Sequence, residues 1–453
     1  MKKIVVIGGG AAGAKAASKA KRLNPNNQVE LYTKTSEIAY SLCGLPYFIE
    51  GSVKKIEDLI IRTPQDFEKN GINIFLNHEA SEIFPEKNCI LINNNHIFYD
   101  ELILALGANI NLPNIKNLNA KNVFSLRSLE SGKLIKEKMK ESKNVLIIGA
   151  GYIAIELIEA FTKNNFNVIL LEKKERIASD FDEDFSEHIQ KMIDYKTKGQ
   201  LQCHYNENVI EFLTDENNSF KGAKTESNKE FFADFCILAT GAIPNVDIAK
   251  NAGIKLGTTG AIEVDSKMRT NYQNIFACGD CAQKYCIITQ EPTYIGLGTI
   301  ANKEGRVAAI NADGTNYENF DGVLKSTITR FYDWTISKTG LTMQEAKKYS
   351  KDINLEPICS SITKNDKAGY MPDTNKMTIK IVADKRSGEV LGAQGIGWSG
   401  NISQRINTIT SALKSRLTVE KLLHLDLAYS PPFSSSIDPI LTACYQLKEL
   451  MKK

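Results

Sequence analysis

One arrangement occurs twice in this chain: an apolar strand, a glycine-rich loop, a helix and a second strand. The first copy begins at Lys3 and runs into Gly8-Gly9-Gly10-Ala11-Ala12-Gly13, then an alanine-rich helix to Arg22. Asn24-Pro25-Asn26-Asn27 makes a turn, and Gln28 to Tyr32 is the next strand. The second copy restarts at Asn144, with a strand from Val145 to Ile148 and the loop Gly149-Ala150-Gly151-Tyr152-Ile153-Ala154. A helix to Lys163 and a strand from Val168 to Leu171 complete it. A lone G-x-G-x-x-G says little. A strand before and a helix after, met twice, predict two dinucleotide-binding units.

Each glycine has a physical purpose in such a unit. The first permits the tight turn, the second lets backbone approach a pyrophosphate, and the third packs helix on strand. The helix N-terminus adds partial positive charge for the phosphates. Gly8, Gly10, Ala12 and Gly13 are therefore the expected contacts of one cofactor, and Gly149, Gly151, Tyr152 and Ile153 those of the other. Thr33, Lys34, Gly107 and Gly241 complete the expected cofactor set. Glu172 closes the second strand of the second unit, where a carboxylate holds an adenosine ribose and repels a 2′-phosphate. That favours NADH. Lys173, Lys174 and Arg176 beside it, and Ala154 in place of the third glycine, leave NADPH open. In the first unit the matching position is Thr33, a weaker ribose partner, while Glu30 points to another side of the strand by its period of two.

With 453 residues, 42% hydrophobic and 24% charged, the chain has apolar material for about three domains. No stretch approaches the roughly 20 apolar residues that span a bilayer. Lys plus Arg exceed Asp plus Glu by only 56 to 53, a net charge of +3, which predicts no nucleic-acid partner. Nine cysteines without framework spacing predict reduced thiols and a cytoplasmic location. The five histidines (78, 96, 188, 204 and 424) have no ligand spacing, so no metal site is expected. Cys278-Gly279-Asp280-Cys281, with Cys286 beyond, reads as small-residue packing. After Val323 the pattern changes to alternating strands, Met377 to Val382 and Val390 to Gly395, with amphipathic helices. This divides the chain into residues 1–117, 118–243, 244–323 and 324–453.

Ser41-Leu42-Cys43-Gly44-Leu45-Pro46-Tyr47 follows the first unit after a short loop. With it come Ala239-Thr240-Gly241, Ile275-Phe276-Ala277-Cys278-Gly279-Asp280, Asn302-Lys303-Glu304-Gly305-Arg306 and Tyr429-Ser430-Pro431-Pro432-Phe433-Ser434. Together with the two glycine loops, these motifs make the chain resemble the pyridine nucleotide-disulfide oxidoreductase family over essentially its whole length. The likeness is to the single-cysteine branch of CoA-disulfide reductases, persulfide reductases, NADH oxidases and NADH peroxidases. It implies an α/β chain of two Rossmann-like domains, the FAD domain interrupted by the NAD domain, plus a C-terminal α+β dimerisation domain. It also implies a homodimer, Cys43 against the flavin and Asp280 on its ribityl chain. Two-cysteine relatives carry C-x-x-x-x-C here; this chain has Ile38 and Phe48 at those offsets. A mixed disulfide, persulfide or sulfenic acid is then the oxidised state of Cys43, and a low thiol pKa is expected.

The resemblance leaves the acceptor open. NADH oxidases and peroxidases tend to carry a histidine in the first glycine loop, and this loop has none. Tyrosines serve CoA-disulfide reductases instead: Tyr429 matches one, and Tyr370-Met371-Pro372 stands where the family reads Tyr-Tyr-Pro. A Ser-Phe-x-Asn-Cys pattern is replaced here by Ala39-Tyr40-Ser41-Leu42-Cys43. Arg22 is kept as a partner for a CoA phosphate, and Ser41 as a second substrate contact. The expected cycle passes a hydride from NAD(P)H through FAD to the Cys43 mixed disulfide or persulfide, with Tyr429 or water protonating the released thiolate. A CoA-disulfide, persulfide or polysulfide reductase is the first reading. An NADH oxidase or peroxidase using a Cys43 sulfenic acid, and a low-turnover flavoprotein sensor, stand as alternatives.

Overall fold

Lys3–Ile7 contributes Ile4, Val5 and Val6, all fully buried, to the centre of a parallel sheet. Such a sheet is covered on both faces, which is why its central strands are unbroken apolar runs. The computed structural model describes residues 1–315 and 317–452. In the first sheet the strand order is Ile275–Ala277, Glu101–Leu104, Lys3–Ile7, Gln28–Tyr32 and Ile72–Phe75, all parallel. The strand at Ile275–Ala277 comes from far downstream, so the chain returns to finish its first unit after building the second. The Ala11–Leu23 and Gly298–Asp313 helices cover one face and pack on each other. Gly305 meets the Ala12 backbone there, and Ala16, Ala20, Ala308 and Ala312 on the same two helices are fully buried, residues small enough for a close approach.

The second sheet repeats the design. Leu201–Tyr205, Asn167–Glu172, Asn144–Ile148, Phe235–Leu238 and Val123–Ser125 lie parallel in that order. An antiparallel ribbon, Ala108–Ile110 with Ala242–Pro244, bridges the two units just beyond Gly107 and Gly241. Those glycines have φ of +70° and +92°, the left-handed region that favours glycine. The third unit is a five-stranded antiparallel sheet backed by the Asn401–Lys414 and Pro439–Met451 helices. Two of its strands, Lys376–Asp384 and Val390–Trp398, are longer than the sequence pattern indicated. Gly395 and Gly397 masked the second, because glycine carries no strand signal. A Cβ on Gly395 would sit 2.4 Å from Ile402, so the glycine admits the covering helix. Among the described residues no helix is long and apolar enough to cross a membrane.

Candidate active site

The two glycine loops are built alike. Gly8 has φ +108°, and a Cβ there would lie 2.1 Å from the Ala105 carbonyl oxygen; one on Gly13 would lie 1.9 Å from that of Gly8. Gly149 has φ +102° and would place its Cβ 2.4 Å from the Ala239 carbonyl oxygen. Over Gly10 and Gly151, in contrast, a Cβ would meet nothing within 4 Å. The packed glycines fix each turn, and the open ones present bare backbone at a helix start. Both loops thus fit a pyrophosphate.

Around the first loop, Asp280 faces inward from the short turn after Ile275–Ala277. Among the described residues its carboxylate accepts no hydrogen bond, and the buried Tyr294 hydroxyl nearby also lacks a partner. Burial raises the Asp280 pKa, opposed by Lys284 and Arg127. Unanswered polar groups of this kind suit a polyol such as a ribityl chain. Beneath them Lys284 Nζ donates to the Gly279 and Ala282 carbonyls at 2.7 Å and pairs with Glu304 at 3.3 Å, both side chains buried. Glu304 in turn accepts the Gly279 N–H at 2.8 Å, fixing the turn that aims Asp280. Lys284 and Arg127 escaped the sequence reading, since a lone basic residue carries no pattern. Thr33 is buried with its hydroxyl 2.9 Å from that of Thr35, and Lys34 is exposed.

In the second unit Glu172 accepts the N–H groups of Ala150 and Lys174, both at 2.8 Å. The carboxylate is held on the rim of its glycine loop. Two of the neighbouring cations are occupied elsewhere: Lys174 donates to Ser179 at 3.0 Å, and Arg176 engages Glu175 and Gln344, while Lys173 is exposed. Tyr152 starts the following helix with its hydroxyl 2.5 Å from Thr327, while Ile153 is exposed.

Of the nine cysteines, Cys43 is the exposed one; six are buried and two half-buried. Cys278 and Cys281 are fully buried, and the Cys281 thiol donates to backbone carbonyls, the packing role expected of them. The Cys43 turn is anchored on the first glycine loop through Ala39, whose φ of +49° costs about 1 kcal/mol for a non-glycine residue. Ala39 N–H donates to the Gly9 carbonyl at 2.8 Å, and Ser41 N–H to that of Leu59 at 2.8 Å. Leu45–Glu50 then packs against Tyr152–Lys163, so the cysteine stands where the two units meet. Its pKa is not low, as the sequence reading had it. Partial desolvation raises it, and the carboxylates of Glu156 and Asp280 push the same way. Both charges that act on the thiol are carboxylates, so neither lowers its pKa.

Arg22 is exposed at the end of the first helix, its Nε on the Ser18 carbonyl at 3.1 Å. Arg62 lies beside it, donating to the Ser18 hydroxyl at 2.7 Å, and Arg22 depresses the Arg62 pKa after burial does. Tyr370 and Tyr429 are exposed, 75% and 52%, on adjoining loops joined by Ala368 N–H to the Pro431 carbonyl at 3.3 Å.

Residues 2–305 match the pyridine nucleotide-disulphide oxidoreductase family and residues 326–439 its dimerisation domain. The chain belongs to that family. As a member of the pyridine nucleotide-disulphide oxidoreductases it is an oxidoreductase of FAD and NAD(P)H. It is 35% identical to a CoA-dependent NAD(P)H sulfur oxidoreductase of Pyrococcus furiosus over 99% of both chains. An NADH oxidase of Methanocaldococcus jannaschii is 32% identical, again over 99% of both. Among solved structures, an NAD-dependent persulfide reductase from A. fulgidus superposes with TM-score 0.94 and 31% identity, covering 99% of this chain and 84% of that one.

Proposed function

We propose that this chain reduces CoA disulfide, persulfide or polysulfide with NAD(P)H through the single thiol of Cys43. The observation that carries the reading is the position of Cys43, the one exposed cysteine, between two glycine loops open to dinucleotides. FAD, when bound, supplies the relay of electrons from NAD(P)H to the cysteine sulfur. The chain's own residues do the rest. Gly8, Gly10, Ala12 and Gly13 hold the FAD pyrophosphate and Asp280 its polyol, with Thr33, Lys34 and Gly107 along the same cleft. Gly149, Gly151, Ile153, Glu172 and Gly241 hold the nicotinamide dinucleotide, and Tyr152 frames its entrance. Glu172 favours NADH.

At the acceptor, Cys43 thiolate attacks one sulfur of the disulfide. A new S–S bond forms, the old one breaks, and the electron pair leaves on the second sulfur. The Arg22–Arg62 pair supports an acceptor bearing phosphates, because two adjacent guanidiniums are relieved by a dianion. Ser41 lines the approach to Cys43. Tyr429 and Tyr370 protonate the leaving thiolate from a second copy in a homodimer. The exposed Phe433 and Ile437 next to Tyr429 are the apolar surface such a dimer would cover. The loop itself is rigidly anchored, through the buried Arg405–Asp438 pair at 2.9 Å.

A sulfenic acid cycle has less support. His78, His96, His188, His204 and His424 contact Leu76, Cys89, Phe185, Phe231 and Glu420, and no hydrogen bond joins any of them to Cys43 among the described residues. Mass spectrometry of the unreduced enzyme tests the proposal. CoA or added sulfur on Cys43, with disulfide turnover abolished in Cys43→Ser, is the expected result. A sulfenic acid with rapid oxygen-dependent NADH consumption would overturn it.

A further inference from the structure

The segment that leaves Glu172, residues 173–182, is gripped from two sides. On its own unit, the Ala178 N–H donates at 2.9 Å to the carbonyl of Ala150, whose N–H holds Glu172. The second grip comes from the third unit. Lys338, on the Trp334–Gly340 strand, donates to the Asp180 carbonyl at 2.6 Å and pairs with its carboxylate at 2.9 Å. Lys380 and Gln394, on the two long strands Lys376–Asp384 and Val390–Trp398, both reach Asp182 Oδ2, at 3.2 Å and 2.5 Å. Gln394 Oε1 accepts the Asp182 N–H in return, at 2.8 Å. The N–H groups of Met343 and Gln344 close on the same carboxylate at 3.1 Å and 2.9 Å. Asp182, Lys380 and Gln394 are all buried. Lys380 also engages Asp184, so its one cation answers two acids.

We propose that Asp182, Lys380 and Gln394 are positioning residues for NAD(P)H, a clamp through which the third unit sets the shape of the second glycine loop. The inference rests on that loop being the NAD(P)H site, and it adds to the site a part supplied by another unit. The clamp acts through a chain of contacts. Asp182 follows Phe181, a buried ring 6.0 Å from that of Tyr152, where the loop enters its helix. Lys338 Nζ lies 5.3 Å from the other partner in that contact, the Phe181 ring. Ala178 then ties the segment to Ala150, and Ala150 to Glu172. A shift of Asp182 is therefore passed to both ends of the dinucleotide cradle. Directional bonds suit this task, because a fully answered buried polar network admits one arrangement where an apolar contact admits several. Burial opposes the Asp182 charge, yet the Gln344 N–H, the Lys380 ammonium and the Gln394 amide hold its carboxyl below the ordinary aspartate range. Losing one partner leaves a buried charge unanswered, so the segment does not move while the clamp is intact.

The test is calorimetric binding of ADP-ribose to the holoenzyme. This probe carries the adenosine ribose and pyrophosphate but no nicotinamide, so it binds without reducing the flavin. Wild type is compared with Lys380→Met, Gln394→Met and a control, Glu389→Gln, which removes the pair with exposed Arg416 elsewhere on the third unit. Lys380→Met and Gln394→Met should each weaken ADP-ribose about fivefold or more, the scale of coupling between linked sites. The ratio of flavin to protein should not change, and Glu389→Gln should bind as wild type does. Amide exchange at Lys174 and Ala178 should quicken in both clamp variants, while the Lys3–Ile7 strand keeps its protection. Gln394→Met swaps a neutral group for one of similar size, so it carries the test should Lys380→Met fail to fold. Unweakened ADP-ribose binding in the clamp variants would overturn the proposal. So would flavin lost in step with ADP-ribose, since that marks a general loosening. A wild-type enzyme that does not bind ADP-ribose would sink the proposed dinucleotide site itself, whereas variants that bind as wild type does sink only the clamp.

Discussion

Gly305 lies against the backbone of Ala12: a Cβ added to it would come 2.2 Å from the Ala12 carbonyl oxygen. The helix of the first glycine loop is thus wedged in place by a glycine almost 300 residues downstream in sequence. Gly305→Ala forces the start of that helix away and should cost about 1–3 kcal/mol through overpacking. Because the displaced segment is the one we propose to hold the FAD pyrophosphate, flavin content should fall with stability. The ratio of flavin to protein absorbance after purification, together with the thermal midpoint, measures both. Full flavin occupancy at unchanged stability would contradict this packing account.

Glu172 is fixed by the N–H groups of Ala150 and Lys174 with its remaining lone pairs free for a ribose. Hydrogen bonds to a charged group are worth about 1.5–3 kcal/mol, so Glu172→Ala should lower kcat/KM for NADH about tenfold to a hundredfold. NADPH, relieved of the repulsion at its 2′-phosphate, should lose less or gain. Steady-state kinetics with both nucleotides give the answer, and an equal loss for the two would remove Glu172 from the specificity role.

Glu207 provides a pH test unrelated to catalysis. Its hydrogen bonds from Lys229 and Ser227 hold its carboxyl down at about 2, below the ordinary glutamate value of 4.5. A folded-state pKa below the unfolded one adds stability that is fully present above the unfolded value and vanishes as pH falls through the folded one. Glu207→Gln should therefore lower the thermal midpoint near neutral pH and approach wild type only below about pH 2. Melting curves across that range test the sign. A deficit that persists at the acid end would mean that the contacts, and not the charge, carry the effect.

The parts of the site that lie within one βαβ unit were legible in the sequence. Gly8-Gly9-Gly10 and Gly149-Ala150-Gly151 advertise themselves because turn, strand and helix must follow one another locally. The strand boundaries of those units agree with the structure to within one residue, Gln28–Tyr32 without any difference. Cys43 and Asp280 are proposed from their flanking motifs and the family they resemble, and the structure shows only their surroundings. Residues that act from a distance were not legible. Arg62 beside Arg22 and Arg330 beside Glu159 each come from a different segment than their partner. A charge in the middle of Tyr152-Ile153-Ala154-Ile155-Glu156-Leu157-Ile158 was the one available signal for Glu156, since an acid in an apolar helix run needs a reason.

The sequence by itself determined the two dinucleotide folds and the separate, antiparallel third unit, because these rest on local turn geometry and periodicity. Only the tertiary structure decided the electrostatics. Whether a carboxylate is neutralised depends on which cation the fold brings near it, and that pairing is made by strands and helices far apart in the chain. Cys43 shows the difference: its place in the chain is local, while the burial that raises its pKa, and after it the carboxylates of Glu156 and Asp280, come from segments the fold brings together.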